Sequence, residues 1–200
     1  MIHLSHYERS TELLGPFSRF VVWVHGCCFD CPGCLAQNTR FGEYEDAECS
    51  ELARHIIASG CEGVTISGGE PFLQAGELAE MLRIARAERD IGVIVYSGFT
   101  LAELRERPDA LELLALCDIL IDGRYVRELD DGRAYVGSSN QTIHYLTDRY
   151  KAVGQEYYDA SGKRKCEIKF TEKQAVLIGV PSAGVLEMWK KIKKKAGNEL

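Results

Sequence analysis

The chain has 200 residues, 46% of them hydrophobic and 27% charged, with a net charge of −6. That length suits one domain of ordinary size with a real core, and the composition is that of a soluble globular protein. No apolar stretch is long enough to span a bilayer, the negative balance argues against a general nucleic-acid-binding surface, and the lack of a signal-peptide pattern makes the cytoplasm the expected compartment.

Residues 1–19 have weak periodicity and read as a lead-in strand and loop, with Gly15-Pro16 as a turn signal. The β-branched and aromatic run Phe20 to His25 predicts a buried strand that delivers the stretch Gly26 to Cys34 at its C-terminal end. Leu52, Ile56 and Ile57 at helical spacing predict a helix over 47–59, stopped by Gly60. Gly63 to Ser67 reads as a second strand running into Gly68-Gly69-Glu70-Pro71, followed by a helix over 76–89. Ile91 to Tyr96 is a third strand ending in Ser97-Gly98. One or two helices over 100–117, separated at Pro108, lead to a fourth strand, Ile119 to Ile121, which ends at Asp122-Gly123.

Continuous apolar strands alternating with amphipathic helices imply a parallel α/β sheet, as an open or closed barrel. The loops after its strands gather at one edge, where ligands bind. Beyond Tyr125 the sequence predicts a tight turn at Asp131-Gly132 between two short extended runs, and a polar loop at Gly137 to Gln141. Lys151 to Lys165 reads as an exposed connection. Two strands follow, Cys166 to Phe170 and Ala175 to Val180, joined by Thr171 to Gln174, then a helix over 183–195. Val185, Trp189 and Ile192 form its inner face, and Lys190, Lys191 and Lys193 to Lys195 suit its C-terminal dipole.

The chemistry concentrates in the first loop. Cys27-x3-Cys31-x2-Cys34 places three thiolates where they can hold three corners of a cubic iron–sulfur cluster and leave the fourth iron open. A structural zinc site, with His25 as a fourth ligand, and a disulfide are the competing readings. Cys28 reads as a spare, buried thiol, and Cys49, Cys61, Cys117 and Cys166 as reduced single cysteines.

Five motifs in order, Gly15-Pro16, the cysteine loop with its Cys-Pro-Gly-Cys, Ser-Gly-Gly-Glu-Pro at 67–71, Asp-Gly-Arg-Tyr at 122–125 and Gly-Ser-Ser-Asn-Gln at 137–141, make the chain similar to a known family. It resembles the activating enzymes of anaerobic (class III) ribonucleotide reductases, within the radical S-adenosylmethionine superfamily. The resemblance implies a partial, open (β/α) barrel over residues 1–148, with 149–200 as a small C-terminal extension. It implies a [4Fe-4S] cluster on Cys27, Cys31 and Cys34 and S-adenosylmethionine on its open iron. Gly68 and Gly69 would let backbone approach the methionyl ammonium, Glu70 would balance its charge, and Ser97 and Gly98 would meet the ribose. Reductive cleavage would give a 5′-deoxyadenosyl radical that takes a glycine hydrogen from the anaerobic ribonucleoside-triphosphate reductase, with a reduced flavodoxin- or ferredoxin-type protein as electron donor. Asp122 reads as a cofactor contact, a partner contact or a strand cap. Val136 stands where such activases usually carry Arg, and the chain continues more than fifty residues past the last motif. The same chemistry on another protein, peptide or small molecule, and a non-enzymatic iron–sulfur carrier, are the rival readings.

Overall fold

Runs of β-branched residues form the central strands, and helices with an apolar stripe run between them. The computed structural model describes residues 1–159, 164–170 and 175–196. Strands β1 (Ile2–Thr11), β2 (Arg19–Val24), β3 (Glu45–Ala47), β4 (Gly63–Gly68), β5 (Gly92–Tyr96), β6 (Ile119–Asp122) and β7 (Thr142–Tyr145) make one seven-stranded sheet. Its order is β3-β1-β2-β4-β5-β6-β7. The central strands β2, β4, β5 and β6 are mutually parallel, and the flanking pairs are antiparallel. The sheet is therefore mixed with a parallel centre, and β3 and β7 are its edges. Between the strands run α1 (Gln37–Phe41), α2 (Cys49–Ser59), α3 (Ala75–Glu88), α4 (Leu101–Arg105) and α5 (Leu111–Leu116).

The period of two along each strand sorts residues to two faces. Phe20, Val22, Val24, Val64, Ile66, Val93, Val95 and Leu120 share a buried cluster with Leu52 and Ile56 of α2, Leu78 and Leu82 of α3 and Leu113 of α5. The helices thus cover one face. On the other, Ile94, Ile119 and Ile121 pack with Val136, Tyr150 and Tyr158, while Val21 packs with Leu14 and Ile178. Residues after 148 therefore contribute to the face opposite the helices.

Glycine 60 ends α2 as the sequence predicts, in the left-handed conformation (φ 68°). Two other expectations differ. The stretch expected as a connection contains a helix, α6 (Lys151–Asp159), whose pattern is interrupted in the sequence by Gly154. A Cβ on Gly154 would come within 2.6 Å of the Tyr145 ring, so the glycine is there for packing. Residues 160–163 of the expected connection lie outside the described residues. Around Asp131-Gly132 the turn is present but the extended runs are not: Arg127–Leu129 is a single 3-10 turn, and Asp130 and Asp131 accept hydrogen bonds from the Gly132 and Arg133 amides (3.2 and 3.1 Å). Side-chain acceptors replace a ladder there.

After α6 come β8 (Cys166–Phe170) and β9 (Ala175–Gly179), an antiparallel pair, and α7 (Ala183–Ala196). The turn expected at 171–174 lies outside the described residues, as do the side chains of Lys193, Lys194 and Lys195. Trp189 is buried and Val185 and Ile192 are half-buried, the inner face that their spacing predicts. Among the described residues no helix is long and apolar enough to cross a membrane.

The end of the sheet remote from the cysteine loop is closed by a polar network. Arg19, fully buried, donates to Glu62 and to the Tyr150 hydroxyl (both 2.6 Å), to the carbonyls of Val64 and Gly92 (2.6 and 3.1 Å) and to Thr65 (3.2 Å). Tyr150 also donates to Glu62, and burial pushes its phenol up to about 12. Arg149 adds a second guanidinium, 2.9 Å from Glu62 and 2.6 Å from Asp90. Removing one charge from such a buried set strands the rest, at a cost on the order of 3 kcal/mol. Arg19→Met is expected to lower the unfolding free energy by that amount in urea denaturation, seen as a lower midpoint with an unchanged slope; an unchanged midpoint would contradict this assignment.

Candidate metal centre and cofactor cleft

Because β2, β4, β5 and β6 are parallel neighbours, the loops that follow them meet at one edge. The first is the cysteine loop. It leaves β2 through Gly26 (φ 89°), whose amide donates to Thr39 (2.9 Å) and whose carbonyl accepts from the Glu70 amide (2.8 Å). The Gly69 amide donates to Val24 (2.8 Å), so the second loop is pinned against the root of the first. A Cβ on Gly69 would lie 1.9 Å from the Gly26 carbonyl oxygen, which only glycine avoids. At Gly68 (φ 106°) both the backbone angle and the nearness of Val24 require glycine.

All eight cysteines are free thiols. Cys27, Cys31 and Cys34 line a cleft of about 1130 Å³; Cys28, though exposed, is not among its lining residues. Ser67 to Glu70, Ser97, Gly98, Gly123 to Tyr125, Gly137 and Gln141 line the same cleft. His25 faces elsewhere, with its ring stacked on Tyr44 (4.5 Å) and its Nδ1 3.3 Å from the Ser5 hydroxyl. Burial pushes the Cys27 and Cys31 thiols up; the Phe29 amide at Cys27 and the Tyr125 amide at Cys31 act in the opposite sense. Arginines surround the loop. Arg40 pairs with Asp30 (2.5 Å), Arg124 lies over the Phe29 ring (4.5 Å), and the Arg127 guanidinium occupies the space that a side chain at Gly33 would need. Three free, half-buried thiols on one cleft, ringed by cations, are a donor set suited to an anionic iron–sulfur cluster.

Glu70 is buried, and its carboxylate is shared within the protein. Oε1 accepts from the Phe72 amide (3.0 Å) and the Ser97 hydroxyl (2.9 Å), and Oε2 accepts from the Gly98 amide (2.7 Å). Burial pushes this carboxyl above the usual glutamate range, against the lowering effect of those three bonds. It straps the loop after β4 to the loop after β5. Ser97 in turn accepts from the Phe99 amide (3.0 Å), and Gly98 has no room for a Cβ, which would lie 2.5 Å from the Phe29 ring. Of the five residues expected to contact the cofactor, Glu70, Ser97 and Gly98 are thus one hydrogen-bonded group, and Gly68 and Gly69 lead into it along the same cleft.

Asp122 caps α4 by accepting from the Leu101 amide (2.5 Å), with His144 Nε2 2.9 Å from the same oxygen. Behind it is a smaller cleft of about 560 Å³. The Gly137 to Gln141 loop is a clamp on the strand-end loop at 122–126. Gln141 accepts from the Gly137 amide (2.6 Å) and donates to the Gly123 carbonyl (2.8 Å), Asn140 donates to the Arg124 carbonyl (2.8 Å), and Ser138 accepts from the Val126 amide (3.1 Å). Sequence reasoning missed Arg124, Tyr125, Arg127 and Arg164. The first two lay inside a motif whose order was visible, but Arg127 and Arg164 are isolated cations with no spacing signal.

The chain matches the family described as "4Fe-4S single cluster domain" over residues 13–144. Several relatives carry the name anaerobic ribonucleoside-triphosphate reductase-activating protein, three of them as follows. That of Vibrio cholerae is 33% identical over 143 residues, covering 66% of this chain and 91% of the relative. That of Enterobacteria phage T4 is 30% identical over 67% of this chain and 88% of its own, and that of Escherichia coli K12 is 31% identical over 66% and 91%.

The Glu70 strap is testable without any cofactor. In Glu70→Gln, whichever way the amide is turned, its NH2 group faces a backbone N–H, at Gly98 or at Phe72, leaving a buried donor unpaired. Chemical denaturation is expected to show a loss of about 1–3 kcal/mol. A variant as stable as the parent would mean that Glu70 is not held as described.

Proposed function

The chain belongs to the 4Fe-4S single cluster domain family and, with its relatives, to the anaerobic ribonucleoside-triphosphate reductase-activating proteins, and we propose from that premise that it is a glycyl radical activase. Its substrate is a glycine of the anaerobic ribonucleoside-triphosphate reductase, and its electrons come from a reduced flavodoxin- or ferredoxin-type protein. The observation that carries this reading is the convergence, on one cleft at the C-terminal edge of the parallel strands, of Cys27, Cys31 and Cys34 with the Gly68-Gly69-Glu70 loop and Ser97-Gly98. We read the sheet as the partial, open barrel of the radical S-adenosylmethionine superfamily, with residues 1–148 as its body and 149–200 as an extension.

The cofactor pair is a [4Fe-4S] cluster and S-adenosylmethionine; when bound, it supplies one electron to a carbon–sulfur bond, giving methionine and a 5′-deoxyadenosyl radical. Cys27, Cys31 and Cys34 would hold the cluster and leave it open to S-adenosylmethionine. Gly68 and Gly69 keep the second loop flat enough for backbone to reach the methionyl group. Glu70 would set negative charge near the methionyl ammonium, while its bonds to Ser97 and Gly98 hold those residues in place for the sugar. The step would balance: the glycine Cα–H bond would break, its hydrogen atom would go to the 5′ carbon, and the partner would keep the unpaired electron. The cleft is open, and a docked reductase would close it and keep water and other hydrogen donors from the 5′ carbon.

Anaerobic reconstitution and reduction of the parent should release 5′-deoxyadenosine, read by chromatography. Cys31→Ala is expected to abolish that release, at least a hundredfold, whereas Cys28→Ala is expected to retain it within about twofold. Turnover in Cys31→Ala, or its loss in Cys28→Ala, would overturn the ligand assignment.

A further inference from the structure

The segment beyond the family match returns to the cleft through one side chain. Arg164, 4% exposed, forks onto Asp130, with Nη2 2.6 Å from Oδ1 and Nη1 3.1 Å from Oδ2. It also donates to the carbonyls of Arg133 (3.0 Å), Val136 (3.2 Å) and Gly137 (3.0 Å), and to that of Pro181 (3.4 Å). A planar guanidinium can serve a carboxylate and several carbonyls at once, which an ammonium cannot. All of these partners but Pro181 lie in the loop between β6 and β7.

That loop also presses on the cysteine loop. The Tyr125 hydroxyl donates to Asp130 (3.2 Å), its ring packs where a Cβ on Gly137 would sit (2.9 Å), and its backbone amide stands at the Cys31 thiol. Two residues on, Arg127 covers Gly33, between the second and third cysteines. Arg164 therefore holds Asp130 and the carbonyls at 136 and 137, and these hold the residues that brace Cys31 and Gly33.

We propose that Arg164 is a positioning residue for the metal centre, by which the C-terminal segment locks the 124–137 loop against Cys31 and Gly33. The inference rests on the reading of Cys27, Cys31 and Cys34 as cluster ligands. It assigns the extension a part in the site itself: the extension is the outer buttress of the cysteine loop, and its guanidinium supplies the cation beside Val136 from a distant part of the chain.

The test uses the full chain, reconstituted anaerobically with iron and sulfide, as parent, Arg164→Ala, Arg164→Lys and Asp130→Asn. Three quantities are read: iron loss to a chelator, the electron paramagnetic resonance spectrum of the reduced cluster with and without S-adenosylmethionine, and the melting of the metal-free chain. Iron is expected to leave Arg164→Ala and Asp130→Asn about tenfold faster than the parent, with an altered spectral response to S-adenosylmethionine, while metal-free melting moves by only a few degrees. Arg164→Lys keeps the charge but not the fork, and should show a smaller loss of the same sign. It carries the test if Arg164→Ala does not fold. Iron release and spectra equal to the parent's in the folded variants would overturn the proposal, as would iron loss that merely follows a collapse in melting temperature. A parent that takes up no cluster would overturn the reading of the cysteines and this inference with it, whereas a parent with a stable cluster and indifferent variants would overturn the inference alone.

Discussion

The site depends on how closely two backbones can approach. The loop after β4 lies against the root of the cysteine loop through two hydrogen bonds, and a Cβ at Gly69 would lie 1.9 Å from the Gly26 carbonyl oxygen. Glycine at 69 is therefore a condition for the cysteine loop to stand beside the loop that carries Glu70. Once that contact is made, the next residue, Glu70, reaches into the loop after β5 and ties it down at Ser97 and Gly98. Three loops from three parallel strands become one unit through a glycine and a carboxylate. The rest of the sheet sets the spacing of those strands.

The two faces of the sheet are treated differently. The helical face is an ordinary apolar core built from the alternate residues of each strand and the stripes of α2, α3 and α5. The opposite face is filled by residues distant in sequence: Val136, Tyr150 and Tyr158 at one side, and Leu14 with Ile178 at the other. Lys169 Nζ lies 3.0 Å from Glu8, so the β8–β9 pair is also tied to β1. Ala175, Val176 and Leu177 of β9, with Trp189 of α7, line the cleft alongside the cysteines. A segment that follows the family match is thus one wall of the cleft, which links the extension to the shape that any substrate must fit.

Much of this was legible in the sequence, for physical reasons that differ by element. The parallel strands at the centre are buried on both faces, so they read as continuous apolar runs such as Val64 to Ile66 and Val93 to Val95, and their helices carry a clear period. Gly60 ended its helix where the residues before it stopped being periodic. Helix α6 was illegible because burial of Tyr158 and the close packing of Gly154 on Tyr145 are tertiary facts. The extended runs expected around Asp131-Gly132 gave way because Asp130 and Asp131 supply acceptors locally. The cysteines and the Gly68-Gly69-Glu70 loop were visible as spacing. What the spacing did not reveal was that Glu70 has protein partners on both oxygens, or that Arg127 and Arg164 act near the cysteine loop from remote positions.

The central claim is that a hydrogen atom passes from a glycine of the reductase to the 5′ carbon of a cofactor held in this cleft. It is tested most directly with anaerobic ribonucleoside-triphosphate reductase prepared with α-deuterated glycine, incubated anaerobically with the reconstituted protein, S-adenosylmethionine and a reductant. The account predicts deuterium in the 5′-deoxyadenosine formed and a glycyl radical signal on the reductase in step with it. 5′-Deoxyadenosine without deuterium, and a reductase without the radical, would contradict it.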